Sequence, residues 1–484
     1  MPNKLVSVQT LTIVSNMDLQ RKIPAEPMNR FNPMRPVSIF KIMCVSFLAV
    51  SLTACGEKPI DIANMSKGIT AELAAGGATS PSSQINPVDV SKGFQSALRS
   101  AVTMNEGYRA AMALEEAAKS RILVASSARR AQVSSNANVG AIGPIGSSTA
   151  SGDAGIAGGV TLSQLVFDGG ESAATTNIAT AEALGAQADR MVQGNTVALA
   201  AARAWIDFWQ FSERLNLLAS RRAEMETLIA QMERMEQNGM IGRSALDSAR
   251  SQAMDFTLEE LQLKTSLDEA KSQFEHYYKQ NPNNISPPEQ VIKYAAAHEV
   301  AAGWRQSPSL QRSASAVLIA QQSLAVAESN FRPRARIQAG LTTPLKSDQS
   351  SDASIGLVFN YTFTDGGRRK AQLNAAKSQL DSTQAALNEA QHLLETELNV
   401  AMSRLKALEK SMPLIDEKIR LSETEIDTAQ SEIATGQSDL RQLIDTKIRN
   451  FRARDQMVTM KAEYDLLLLV IGSRTGELSR KLGL

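Results

Sequence analysis

The residues best equipped for chemistry are few and scattered. His276, His298 and His392 are the only histidines in 484 residues, and their spacing builds no metal-ligand cluster. No glycine loop has the spacing that cradles a phosphate. No catalytic residue, metal or cofactor is therefore expected, and the chain does not read as an enzyme. The two thiols are Cys44 and Cys55, and only the second has a context that suggests chemistry. From Met34 the chain reads as a basic start, an apolar run from Ile42 to Leu52, and Leu52-Thr53-Ala54-Cys55. This is the layout of a secretory signal with a small-residue cleavage site, and the run is too short for the ~20 apolar residues of a membrane-spanning helix.

Leu-Thr-Ala-Cys resembles the bacterial lipobox, in which the cysteine is acylated and becomes the first mature residue. Cys55 is thus the expected lipidation site; the alternative is a buried apolar helix whose cysteine merely packs. Residues 1–33 have no signal character, which makes Met34 a candidate start. Cleavage before Cys55 removes Cys44 together with six basic and two acidic residues, taking the formal charge from +1 to about −3. Gly56, where proteins kept at the inner membrane often resemble Cys-Asp, points to the outer membrane. With 51 basic and 50 acidic residues there is no field to hold nucleic acid.

Elements that would position any site come from a duplication. Phe167-Asp168-Gly169-Gly170 recurs as Phe363-Thr364-Asp365-Gly366-Gly367, with the aspartates 197 residues apart. Gly239, Arg243 and Asp247 are echoed by Gly436, Arg441 and Asp445 at offsets of 197, 198 and 198. Such a unit is far longer than the ~20 to 50 residues of solenoid repeats. We divide the chain into a signal region (1–54), a lipidated Gly/Ser-rich tether (55–90), a first repeat (91–281), a linker (282–305), a second repeat (306–475) and a tail (476–484).

Each repeat has the same order of patterns. Helical spacing over Phe94–Ser127 and Pro308–Asn330 gives way to period-two alternation: Ala131 to Ala141, then a second strand over 156–167, and Ala335 to Leu341, then Ile355 to Thr364. Strands of ~9 to 12 residues suit a tilted bilayer crossing. From 171 to about 237 no proline interrupts a seam of Ala201, Ala204, Phe208, Phe211, Leu215, Leu218, Arg222, Met225, Ile229 and Met232. A returning seam runs from Leu246 to Tyr277 through Glu260. These predict long antiparallel coiled-coil hairpins. The fold class is mainly α with a small transmembrane β part. Four strands leave unpaired edges that hydrocarbon cannot satisfy, so copies must share a barrel; the count alone allows a dimer or a trimer.

This order of helix, hairpin, Asp-Gly-Gly, long helix, glycine turn and returning helix, behind a lipobox, resembles the TolC-like outer-membrane efflux channels over about residues 90–475. The resemblance implies a homotrimer with a twelve-stranded barrel in outer-membrane lipid. It also implies a periplasmic helical tunnel whose tips engage an adaptor protein and a proton-driven or ATP-driven inner-membrane pump. It implies a barrel-to-tunnel joint at Asp168, Gly169, Gly170, Asp365, Gly366 and Gly367, which the residues singly read equally well as capped turns. Adaptor-contacting tips are implied at Gly239, Ile241, Gly242, Gly436 and Ser438, where a plain hairpin turn is the alternative. Asp445 matches a place that can narrow the closed entrance, or is a solvated helix-face aspartate; Gln442 stands where a second acid is expected. The implied function is a passive exit duct for drug efflux or type I secretion. A periplasmic coiled-coil adaptor or scaffold lipoprotein is the alternative, although an adaptor would carry one central hairpin between β-rich domains.

Overall fold

The computed structural model describes residues 88–142, 153–283, 285–344, 351–435 and 440–484, with Lys67 and Ala71. Cys55, Gly436 and Ser438 lie outside the described residues. The chain from Pro87 to Leu484 forms one compact unit. Its elements in order are α1 (Phe94–Met104), α2 (Glu106–Ser127), β1 (Gln132–Ile142), β2 (Asp153–Phe167), α3 (Glu171–Gln237), α4 (Arg243–Tyr278), α5 (Tyr294–Ala302), α6 (Pro308–Ser329), β3 (Arg334–Pro344), β4 (Asp352–Asn360), α7 (Arg368–Thr435), α8 (Leu440–Thr475) and α9 (Glu477–Leu482). The sequence α2-β1-β2-α3-α4 is echoed by α6-β3-β4-α7-α8. The paired helices have 22 and 22, 67 and 68, and 36 and 36 residues. At ~1.5 Å per residue α3 and α7 are each roughly 100 Å long.

Several boundaries differ from the sequence expectation. The single helix over 94–127 is two, because Asn105 adopts extended angles and its side chain accepts the Tyr108 N–H, capping α2. The linker contains α5 and a 3-10 turn at Gly303–Gln306. The tail is an ordered part of the core: Leu478 and Leu482 are buried beside Phe94, Trp205 and Tyr278, and Ser479 donates from both its N–H and its hydroxyl to Asn195 Oδ1. The β4 strand stops at Asn360, opposite the first residue of β3, so the alternation through Tyr361 and Phe363 runs on without a partner strand. There Tyr361 and Phe363 meet edge to face at 4.9 Å.

Helix α3 buries two faces. The expected seam is there, with Ala201, Ala204, Leu218, Met225 and Met232 buried, but so are Trp205, Ile206, Arg221 and Leu228. The second face exists because α3 packs against both α4 and α8. Arg222 and Glu260, the two charged seam positions, form an ion pair at 2.6 Å. On the other side Arg214 holds Asp455 with two bonds of 2.6 and 3.1 Å. Phe256 of α4 and Phe451 of α8 meet edge to face at 5.5 Å. Tyr278 rather than Tyr277 is the fully buried end of the α4 seam, its hydroxyl donating to the Ala201 carbonyl. Helix α7 continues through Pro413, where the missing N–H leaves one carbonyl of the preceding turn without its helix partner.

The four strands form one antiparallel sheet in the order β1-β2-β3-β4. Its register sorts the residues by face. Val133, Leu162, Ala339 and Ile355 make one row, and Gln164, Ile337 and Leu357 the next. On the other face lie Gln132, Ser163, Gln338 and Gly356, with Ser134, Thr161, Gly340 and Ser354 beside them. A shift between Leu165 and Phe167 brings Phe167 opposite Ala335, a bulge of the kind found at barrel rims.

Candidate channel joint, tips and edges

The two Asp-Gly-Gly segments fold alike. Asp168 accepts the N–H groups of Gly170 and Ser172 at 3.0 and 2.7 Å. Asp365 accepts those of Gly367 and Arg369 at 3.2 and 3.0 Å. Both glycines of each pair have positive φ: 69° and 99° in the first, 70° and 89° in the second. The strand therefore turns within two left-handed residues, and the carboxylate satisfies amides that α3 and α7 would otherwise leave open. Burial works to raise the Asp168 carboxyl, but the bonds from Ser172 and Gly170, with Arg129 nearby, hold it below the usual carboxylate range. Desolvation at Asp365 is likewise outweighed, here by Arg369.

The start of β3 ties the two joints together. Arg332 donates to the Gly169 carbonyl at 2.9 Å, while Arg369, which also bonds Asp365 through Nε at 2.9 Å, donates to the Asn330 carbonyl at 3.1 Å. Arg369 lies over the Phe331 ring. The sequence alone does not single out Arg332 or Arg369; the available signal is arginine just before β1 and β3 (Arg129, Arg130 and Arg332) and Arg368-Arg369 directly after the second glycine pair.

Of the tip residues, the described ones form a compact helix stop. Gly239 has φ 71°; its N–H bonds the Glu236 carbonyl at 2.9 Å, and the Met240 N–H bonds Met235 at 2.8 Å. This double closure is a Schellman motif. Gly242 is extended and precedes α4, leaving Met240 exposed between them. Asp445 sits half-buried on α8, its carboxylate accepting from Gln252 of α4 at 3.5 Å.

The chain leaves two edges open. Alongside the sheet, helices pack in the order α2-α3-α6-α7; further along they pack as α4-α3-α8-α7. One side of the unit thus ends in β1, α2 and α4, and the other in β4 and α7. Both sides expose large apolar side chains: Leu114, Leu123 and Val124 on α2 and Met254, Leu258 and Leu261 on α4, against Leu393, Val400, Leu414 and Leu421 on α7. The apolar sheet face is also open, with Ile355 82% and Val133 71% exposed. Among the described residues no helix is long and apolar enough to cross a membrane, and no group of His, Cys, Asp and Glu could hold a metal ion.

Comparison with known proteins gives the fold a family context. Residues 304–468, which run from the entry of α6 into α8, match the model of the outer membrane efflux protein family. No curated protein matches the chain. Among solved structures, the channel-forming protein CusC aligns with a TM-score of 0.70 at 13% identity, over 82% of this chain and 98% of its own. The outer membrane protein VceC of Vibrio cholerae aligns at 0.69 and 16%, over 79% and 96%. The open-state MtrE outer membrane channel of Neisseria gonorrhoeae aligns at 0.67 and 16%, over 79% and 88%. At these identities the likeness is one of fold, and it spans both repeats. The chain is thus TolC-like in fold over four-fifths of its length, with the sequence pattern of the outer membrane efflux proteins in its second repeat.

Proposed function

We propose that three copies of this chain close into an outer-membrane exit duct that moves cargo passively for a tripartite efflux or type I secretion system. The observation that carries this reading is the matched pair of open edges. Unpaired strand edges cannot face hydrocarbon, and β1 and β4 lie on the same two sides as the uncovered apolar stripes of α2 and α4 and of α7. A single head-to-tail interface joining β4 and α7 of one copy to β1, α2 and α4 of the next satisfies all of them, and such interfaces close into rings. The apolar sheet face then meets lipid and the polar face a water-filled lumen, as in other membrane barrels.

In this reading the joint residues Asp168 to Gly170 and Asp365 to Gly367 turn barrel into tunnel. Gly239, Ile241 and Gly242, with Gly436 and Ser438, meet a periplasmic adaptor joined to an inner-membrane pump, and Asp445 narrows the entrance. Cys55 carries the lipid; loss of labelled palmitate on Cys55→Ser with the barrel still inserted is the expected outcome. A scaffold or adaptor role fits less well, since it leaves the two-faced sheet and its edges unexplained. Purified protein added to a planar lipid bilayer tests the duct: stepwise conductance supports it, and none from protein that is folded and inserted contradicts it.

A further inference from the structure

Where the hairpin sheet meets the helices, a cavity of about 260 Å³ collects three arginines, Arg130, Arg334 and Arg336, around Gln132, Ser163 and Thr175. Two acids also line it, and both are engaged. Asp168 is taken up by the Gly170 and Ser172 amides, and Glu171 is paired with Arg334 at 2.5 Å. Arg129, next to the cavity, donates to the Ser172 hydroxyl at 2.9 Å. Arg130 and Arg336 are exposed, and their side chains have no hydrogen-bond or ion-pair partner among the described residues. Across the second joint Arg368 and Lys370 add two more exposed cations, whereas the chain as a whole is nearly neutral at +1.

The register decides which way this charge faces. Arg336 stands opposite Leu165 and Val358, and Arg334 opposite Asn360. Both belong to the face of Gln132, Ser163 and Gln338, not to the apolar face of Ile337 and Leu357. In a closed barrel that is the lumen side. A belt of guanidinium groups inside a low-dielectric wall raises the local concentration of anions, and guanidinium is suited to phosphate, sulfate and carboxylate groups.

We infer that the foot of the barrel carries an anion-binding belt, built from Arg130 and Arg336 with Arg334 behind them, which gives the duct a preference for anionic solutes. The inference rests on the duct reading above. It is tested by the reversal potential of reconstituted channels in a potassium chloride gradient, comparing the wild type with Arg130→Gln/Arg336→Gln and with Arg130→Lys/Arg336→Lys. At about 0.1 M salt the glutamine pair is expected to lower the chloride-to-potassium permeability ratio at least about twofold. The lysine pair should keep it, and the difference should fade near 1 M, where the screening length is ~3 Å. An unchanged ratio in the glutamine pair overturns the belt. If that variant fails to assemble, the wild type decides: a chloride preference that weakens between ~0.1 and ~1 M salt supports the belt, and one indifferent to salt overturns it. Absence of any conductance in the inserted wild type removes the duct reading itself, and the belt with it.

Discussion

Asp168 and Asp365 each hold two backbone amides at the point where a strand becomes a long helix, and removing either carboxylate leaves those donors open. Asp168→Ala is expected to cost about 1–2 kcal/mol, read as a lower unfolding midpoint in detergent. Both carboxyls are held below their ordinary value of 3.8. The stability they add is therefore present above pH 3.8 and lost as pH falls through their lowered folded values, so the deficit of Asp168→Asn should vanish in strong acid. Asp465 works in the opposite direction: burial pushes its carboxyl up to about 6, against a long bond from Gln290 at 3.5 Å and the charge of Lys461. Its penalty is absent below pH 3.8 and complete above pH 6. Asp465→Asn should raise the unfolding free energy at pH 7 to 8 by up to about 3 kcal/mol, read from the unfolding midpoint, and change nothing near pH 3.5. The glycine pairs look equivalent in sequence, yet they differ in surroundings. A β-carbon at Gly169 would lie 2.6 Å from the Arg332 Cβ and 3.2 Å from the Ser329 carbonyl oxygen, whereas one at Gly366, with nearly the same φ, meets nothing within 4 Å. Gly169→Ala should therefore unfold the protein at clearly lower temperature than Gly366→Ala, which carries only the ~1–2 kcal/mol of left-handed strain. The need for glycine was legible from the repeated motif; the clash was not, because Arg332 approaches from 163 residues away.

At the scale of elements, the coiled-coil hairpins depend on side chains that lock α4 and α8 against α3. Phe451, 1% exposed, meets Phe256 edge to face. Phe451→Ala is expected to cost about 3–5 kcal/mol, seen as a large drop in thermal stability of the helical signal. Period and proline spacing made the bounds of α3 readable, since a 67-residue helix without proline has few places to stop other than its glycines. They did not reveal its second buried face, because Trp205, Ile206 and Leu228 fall outside the seam and are covered by distant elements: Trp205 by Phe94 of α1 and Phe274 and Tyr278 of α4, and Leu228 by the cluster that includes Leu443 and Phe451 of α8. Alternation likewise carried β4 too far. Tyr361 and Phe363 keep the apolar parity, but the strand ends where β3 ceases to offer a partner, and alternation records a face, not a hydrogen-bonded neighbour.

At the scale of the whole molecule, the central claim is that one chain is an incomplete wall. Strand counting leads to the expectation that copies combine. The order of the helices, which aligns α2 and α4 with the β1 edge and α7 with the β4 edge, became visible only in three dimensions, as did the gathering of Arg130, Arg334 and Arg336 around one cavity at the foot of the sheet. Single-particle imaging of the mature protein extracted from outer membrane in detergent tests the claim most directly. The account predicts a three-fold hollow tube with a helical part roughly 100 Å long, its subunits meeting α7 to α2 and α4. A monomer or a solid rod that leaves the membrane without detergent once its acyl group is removed would contradict it.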